Sequence, residues 1–102
     1  MVRDRLELHN ILLDILDLPY VYFQAPESYR LDFPCIIYKL GEIDGVHAND
    51  KRYLNMKRYL VTIIDEDPDS ELPDKLLELP YCKFEDHFAK DDLNHYVFSL
   101  YY

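Results

Sequence analysis

Tyr59-Leu60-Val61-Thr62-Ile63-Ile64 is a run of β-branched, aromatic and leucine side chains, the strongest strand signal in the chain. Asp65-Glu66-Asp67-Pro68-Asp69-Ser70 follows at once. A proline among carboxylates cannot continue a buried strand, so the run ends in a turn. Ser70 is placed to cap a helix over 71–79, with Pro73 in its first turn, where a missing N–H costs nothing. Side chains alternate along a strand, so Tyr59, Val61 and Ile63 share one face and Leu60, Thr62 and Ile64 the other. Both faces are apolar. Helices can cover one of them, and something else must cover the other.

Residues 2–17 read as an amphipathic helix. Leu8, Ile11, Leu12, Ile15 and Leu16 form one stripe, Leu6 and Leu13 widen it, and Pro19 ends it. Residues 20–23 read as a short strand and the stretch to Pro34 as a loop anchored by Leu31 and Phe33. Residues 35–40 read as a strand that can run on to Ile43, with a bulge expected at Gly41. The polar stretch 44–51 reads as an extended hairpin loop leading into a strand over 53–64. Beyond the second helix, residues 81–84 read as a strand, 86–92 as a turn region, and 93–102 as a closing strand. That strand carries Tyr96, Phe98, Leu100 and Tyr102 on one face and His95, Val97, Ser99 and Tyr101 on the other. The expected order is α-β-β-β-α-β-β over a single domain, residues 1–102. It is an α+β fold with one curved, mostly antiparallel sheet and both helices on one face.

Composition narrows the functional classes. The 102 residues carry a net charge of −9, and both halves of the chain are acidic. Such a surface disfavours general binding to nucleic-acid backbones or anionic membranes. Ten tyrosines and five phenylalanines suit surfaces that become buried on assembly; a tyrosine-rich core rim is the plainer alternative. The opening residues are charged and offer no apolar h-region, and no run is long enough for a membrane helix, so neither a signal peptide nor a span is expected. Cys35 and Cys82 form no C-x-x-C and are expected to be free thiols in a reducing cytosol.

Motifs for chemistry fail one after another. Asp65, Asp67 and Asp69 have the alternation of a calcium loop, but Ser70 and Leu76 stand where glycine and glutamate are needed. His87, His95 and Cys82 can approach across one turn, yet a zinc site lacks its fourth ligand. No serine sits in a glycine-framed elbow, and two glycines in the whole chain leave no phosphate-cradling loop. No catalytic residue, metal site or cofactor is expected, and the chain is not read as an enzyme. One basic cluster, Lys51, Arg52, Lys57 and Arg58 interleaved with Tyr53 and Tyr59, interrupts the acidic background. It reads as a surface for a charged partner or as local pairing with the chain's own acids. It does not read as a single-stranded nucleic-acid platform, because Lys57 and Arg58 point to opposite faces.

Residues Tyr59 to Asp65, then Asp67-Pro68-Asp69-Ser70 and a helix beginning around Pro73-Asp74, resemble the small tail terminator proteins of long-tailed bacteriophages, also called tail completion or head–tail joining proteins. The opening helix with Arg3-Asp4-Arg5-Leu6, Leu13 and Leu16, and the closing Asn94-His95-Tyr96-Val97-Phe98, are similar too. The resemblance spans nearly the whole chain, but its motifs form the fold and carry no chemistry. It implies an α+β fold with a curved sheet and a hexameric ring that caps the tail tube and then meets the head connector, or stopper, protein. It also implies DNA passage through the lumen without specific binding, and no cofactor. The location implied is the head-proximal end of the virion tail, after assembly in the host cytoplasm.

On this reading the subunit or partner interface draws on Asp44, His47, Asn49, Lys51, Arg52, Tyr53, Lys57, Arg58, Tyr96, Phe98, Leu100 and Tyr102. Six chains at −9 give 6 × −9 = −54, a charge that would keep DNA from adhering if much of it lines the lumen. The competing class is a cytosolic interaction module that binds a partner through a sheet edge or face without catalysis. Deleting the tip of the 41–52 hairpin is expected to leave a soluble, folded protein that yields defective virions. A plaque assay on phage carrying the deletion checks this, and normal infectivity would remove that segment from the tube or connector contact.

Overall fold

The computed structural model describes residues 5–26, 30–41 and 57–102. Helix α1 spans Arg5–Leu16, strand β1 Val21–Phe23, β2 Cys35–Leu40, β3 Arg58–Asp65, helix α2 Leu72–Leu77, β4 Cys82–Lys90 and β5 Leu93–Tyr101. This is the expected α-β-β-β-α-β-β order, an α+β fold. The five strands form one sheet in the order β1-β2-β3-β5-β4. Among the described residues the β1–β2 pair is parallel and the other three pairs are antiparallel.

β3 lies at the centre, between β2 and β5, as its doubly apolar sequence requires. In register, Tyr38 of β2 faces Val61 of β3, which faces Phe98 of β5, and Ile36, Ile63, Tyr59 and Leu100 fall on the same side. Leu8, Leu12 and Leu16 of α1 and Leu72 and Leu76 of α2 pack onto that side and close the core. Each such side chain, fully withdrawn from water, contributes about 1.5–3 kcal/mol before chain entropy is set against it. Asp17 ends α1 in the left-handed conformation at φ 58, its N–H donating to the Leu13 carbonyl at 2.8 Å. Ser70 Oγ accepts from the Leu72 N–H at 3.3 Å, so Ser70 serves the start of α2 although Glu71 occupies the cap position.

Two local readings change. Residues 86–90 belong to β4, and the turn contracts to Asp91-Asp92, with φ 55 and 63. Two successive positive φ values are the signature of the tight hairpin turn that matches strand twist. β4 is an edge strand exposed along nearly its whole length, so its charges have no buried face to alternate against and look like loop. A bulge between Phe84 and Asp86 shifts the alternation as well. Gly41 makes no bulge. Its N–H donates to the Arg58 carbonyl at 2.7 Å, and a Cβ there would stand 3.0 Å from that same oxygen, so the close approach of two backbones calls for glycine. The long connection between β2 and β3, with Asp44, His47, Asn49, Lys51, Arg52 and Tyr53, lies outside the described residues.

Leu12 has no solvent exposure and sits where α1 meets the sheet. Leu12→Ala is expected to lower unfolding free energy by about 2–5 kcal/mol, read from urea denaturation. Leu6→Ala, at an exposed position of the same helix, should change it by under about 1 kcal/mol.

Candidate functional site

The register that sends Tyr38, Val61 and Phe98 to the helices sends a second set to the opposite face. That face carries Ile37, Leu60, Thr62, Ile64, Val97, His95 and Phe88. Among the described residues no helix packs there. Cys35, Ile64 and Ser99 are buried, the other central side chains are half-buried, and Phe88 at the edge is 43% exposed. Between them runs an open trough of about 430 Å³, walled by Ile37, Leu60, Thr62, Ile64, Val97 and Phe88. Phe88 and His95 stack nearly parallel across β4 and β5, centroids 4.7 Å apart, and form its rim. A second cleft, near Ile11, Pro80 and Leu100, is about 100 Å³, below the size of ordinary small-molecule sites.

Charge is sorted between the two sides. On the open face the register places Lys39, Arg58, Lys83 and Lys90 with Asp86, and Glu85 stands unpaired in the bulge beside it. This is the reverse of the chain as a whole, with 11 basic and 20 acidic residues. Lys39 and Lys83 share one cross-sheet row with Leu60 and Ser99, and Arg58 lies one row beyond, its guanidinium donating to Ser99 Oγ at 2.9 Å. Three cations therefore band one end of the trough. On the helix side, Glu71, Asp74 and Glu78 on and beside α2 and Glu66, Asp67 and Asp69 in the turn before it are exposed, with Lys75 among them.

The expected interface residues separate. Phe98 and Leu100 lie in the core beneath the helices, so they are not available on the open face. Tyr96 is on the helix side too, stacked on His87 and donating to the Pro68 carbonyl at 3.4 Å. Burial and the carboxylates of Asp65, Asp67 and Asp69 hold its hydroxyl above the usual phenol range. Tyr102 donates to Glu7 Oε2 at 3.1 Å, and the backbones of Lys57 and Tyr102 exchange two hydrogen bonds. Of the residues expected at the interface, Arg58 is the one described on the open face. The alternation of β5 was legible in sequence; which of its two apolar faces meets the helices was not.

Groups with chemical potential are occupied or split apart. Asp65 and Asp67 accept the N–H groups of Asp67 and Asp69 at 3.0 and 2.9 Å, which makes the acidic segment a pair of side-chain-braced turns. His87 and His95 lie on opposite faces of the β4–β5 hairpin. Among the described residues no group of three His, Cys, Asp or Glu can hold a metal ion, and no helix is long and apolar enough to cross a membrane. Burial pushes the Cys35 thiol up to about 12, with Asp32 and Asp65 adding to it, and burial alone pushes Cys82 up to about 11. Both remain protonated and unreactive at neutral pH. Compared with protein-family models, curated proteins and solved structures, the chain matches none.

One polar cluster lies inside the helix–sheet seam. The Tyr38 ring is fully buried, and its hydroxyl accepts from Arg5 at 3.2 Å and lies 2.7 Å from His9 Nδ1. Arg5 also stands over the Phe23 ring at 4.3 Å. The tautomer and charge of His9 set which of the two groups donates across the Nδ1–hydroxyl contact. Burial, then the Arg5 charge, lowers the His9 pKa below 6.5. The folded state therefore binds the His9 proton less readily than the unfolded state. Its contribution to stability is full above about pH 6.5 and is lost as pH falls from there toward the folded-state value. Urea midpoints between pH 7.5 and 5.0 should decline for the native chain, and His9→Asn should flatten that decline.

Proposed function

We propose that this protein is a structural subunit that assembles with copies of itself, and specifically a tail terminator that joins a phage tail tube to the head connector as a ring. The observation that carries the self-assembling part is the one-sided coverage of the sheet among the described residues: both helices pack on one face, and the other keeps an open apolar trough. Monomeric proteins rarely leave such a face in water, and a closed ring of head-to-tail contacts hides it without unlimited growth. What supports the tail-terminator part is the resemblance of residues 59–70, the opening helix and the closing strand. In that role the protein contacts the tube protein and the connector, has no cofactor, and lets DNA pass along an acidic lumen.

A second reading is favoured by one specific feature. β4 is a nine-residue edge strand with an outer backbone edge that can accept a further strand. A peptide-binding module would use that edge as a monomer or dimer and would not close into a ring.

Multi-angle light scattering across concentrations, with negative-stain microscopy, separates the two. A ring of defined mass supports assembly; a monomer or dimer at every concentration favours the edge-binding module. The phage role is tested by a nonsense mutation at Tyr59 in a phage carrying this gene. Separate heads and tails are expected, and infectious virions made without the protein would overturn it.

A further inference from the structure

The open face does more than need a cover; its charge says what the cover is. Lys39, Arg58 and Lys83 band one end of the trough, in a chain whose net charge of −9 makes copies repel one another at long range. Two such faces stacked with their banded ends aligned would oppose cation to cation, which is costly in a desolvated contact. The same chain carries the complement on its other side. Asp74, Leu77 and Glu78 fall at i, i+3 and i+4 on the outer side of α2, all exposed, while Leu72 and Leu76 point inward. Leu77 is 43% exposed, an apolar side chain flanked by two carboxylates. It matches an apolar trough banded by three cations.

We propose that the open sheet face receives the outer face of α2 from a second copy of this chain, in a head-to-tail contact. Leu77 enters the trough beside Leu60 and Val97, and Asp74 and Glu78 meet the Lys39–Arg58–Lys83 band. The two surfaces are different patches on opposite sides of one molecule, so the contact is heterologous, the kind of contact from which a ring is built when its rotation closes. The inference rests on the self-assembling reading above and adds to it which surface meets which.

The test uses full chains with exposed residues only. Lys39→Glu with Lys83→Glu makes the sheet face acidic; Asp74→Lys with Glu78→Lys makes the helix face basic. Each double variant alone should self-associate at least about tenfold more weakly than the native chain by light scattering, with an unchanged urea midpoint. Mixed one to one, the two variants should assemble again, because acidic sheet faces now meet basic helix faces and the remaining native pairs are restored. Leu77→Ala should weaken assembly of the native chain as well. If the native chain assembles but the mixture is not rescued, or the helix variant assembles normally, this contact is wrong while the assembly reading stands. If the native chain and the mixture both stay monomeric at millimolar concentration, both fail.

Discussion

Leu8, Leu12, Leu72 and Leu76 pack on the row formed by Tyr38, Val61 and Phe98, and this contact fixes which side of the sheet every other strand residue takes. A sheet has two faces, and two helices of this length cover one. Once α1 and α2 settle on the Tyr38 side, alternation along each strand assigns every other residue to the opposite side. A slip of one residue in β3 would exchange Val61 for Leu60 or Thr62 and bring Arg58 or Thr62 toward the helices. The charged end of the strand makes that arrangement unfavourable.

The helix–sheet seam is not purely apolar. Tyr38 is large enough to bridge from the sheet to α1, and its hydroxyl reaches Arg5 and His9 on one turn of that helix. Its ring also lies against Phe23 and Tyr59. A buried hydroxyl without partners would be costly, and two polar side chains at i and i+4 on α1 meet that need. The same pair fixes the rotation of α1, because turning the helix by one residue would bury the leucines incompletely and orphan the hydroxyl.

Charge separation between the two sides has a related origin. The helix side and its turns face water and carry most of the described carboxylates, whereas the strands supply Lys39, Arg58, Lys83 and Lys90 to the open face. Long lysine and arginine stems can lie along apolar surface while their charged ends stay solvated. A face of this kind tolerates water in the free subunit and remains able to shed it against an acidic, leucine-bearing partner surface.

The element order, the central place of residues 59–64, the turn at 65–70 and the start of α2 are all legible in the residues alone, because apolar periodicity, proline and capping are local signals. The sequence could not find β4 beyond Phe84: an exposed edge strand has no buried face, so its alternation carries no hydrophobic contrast. It could not say which face of β5 is covered, since Tyr96, Phe98 and Leu100 and the alternate His95 and Val97 are both apolar enough. Packing against the helices settles it. The helices choose the side whose side chains, Tyr38 and Phe98 above all, fill the space beneath their leucines, and the open face is what that choice leaves behind.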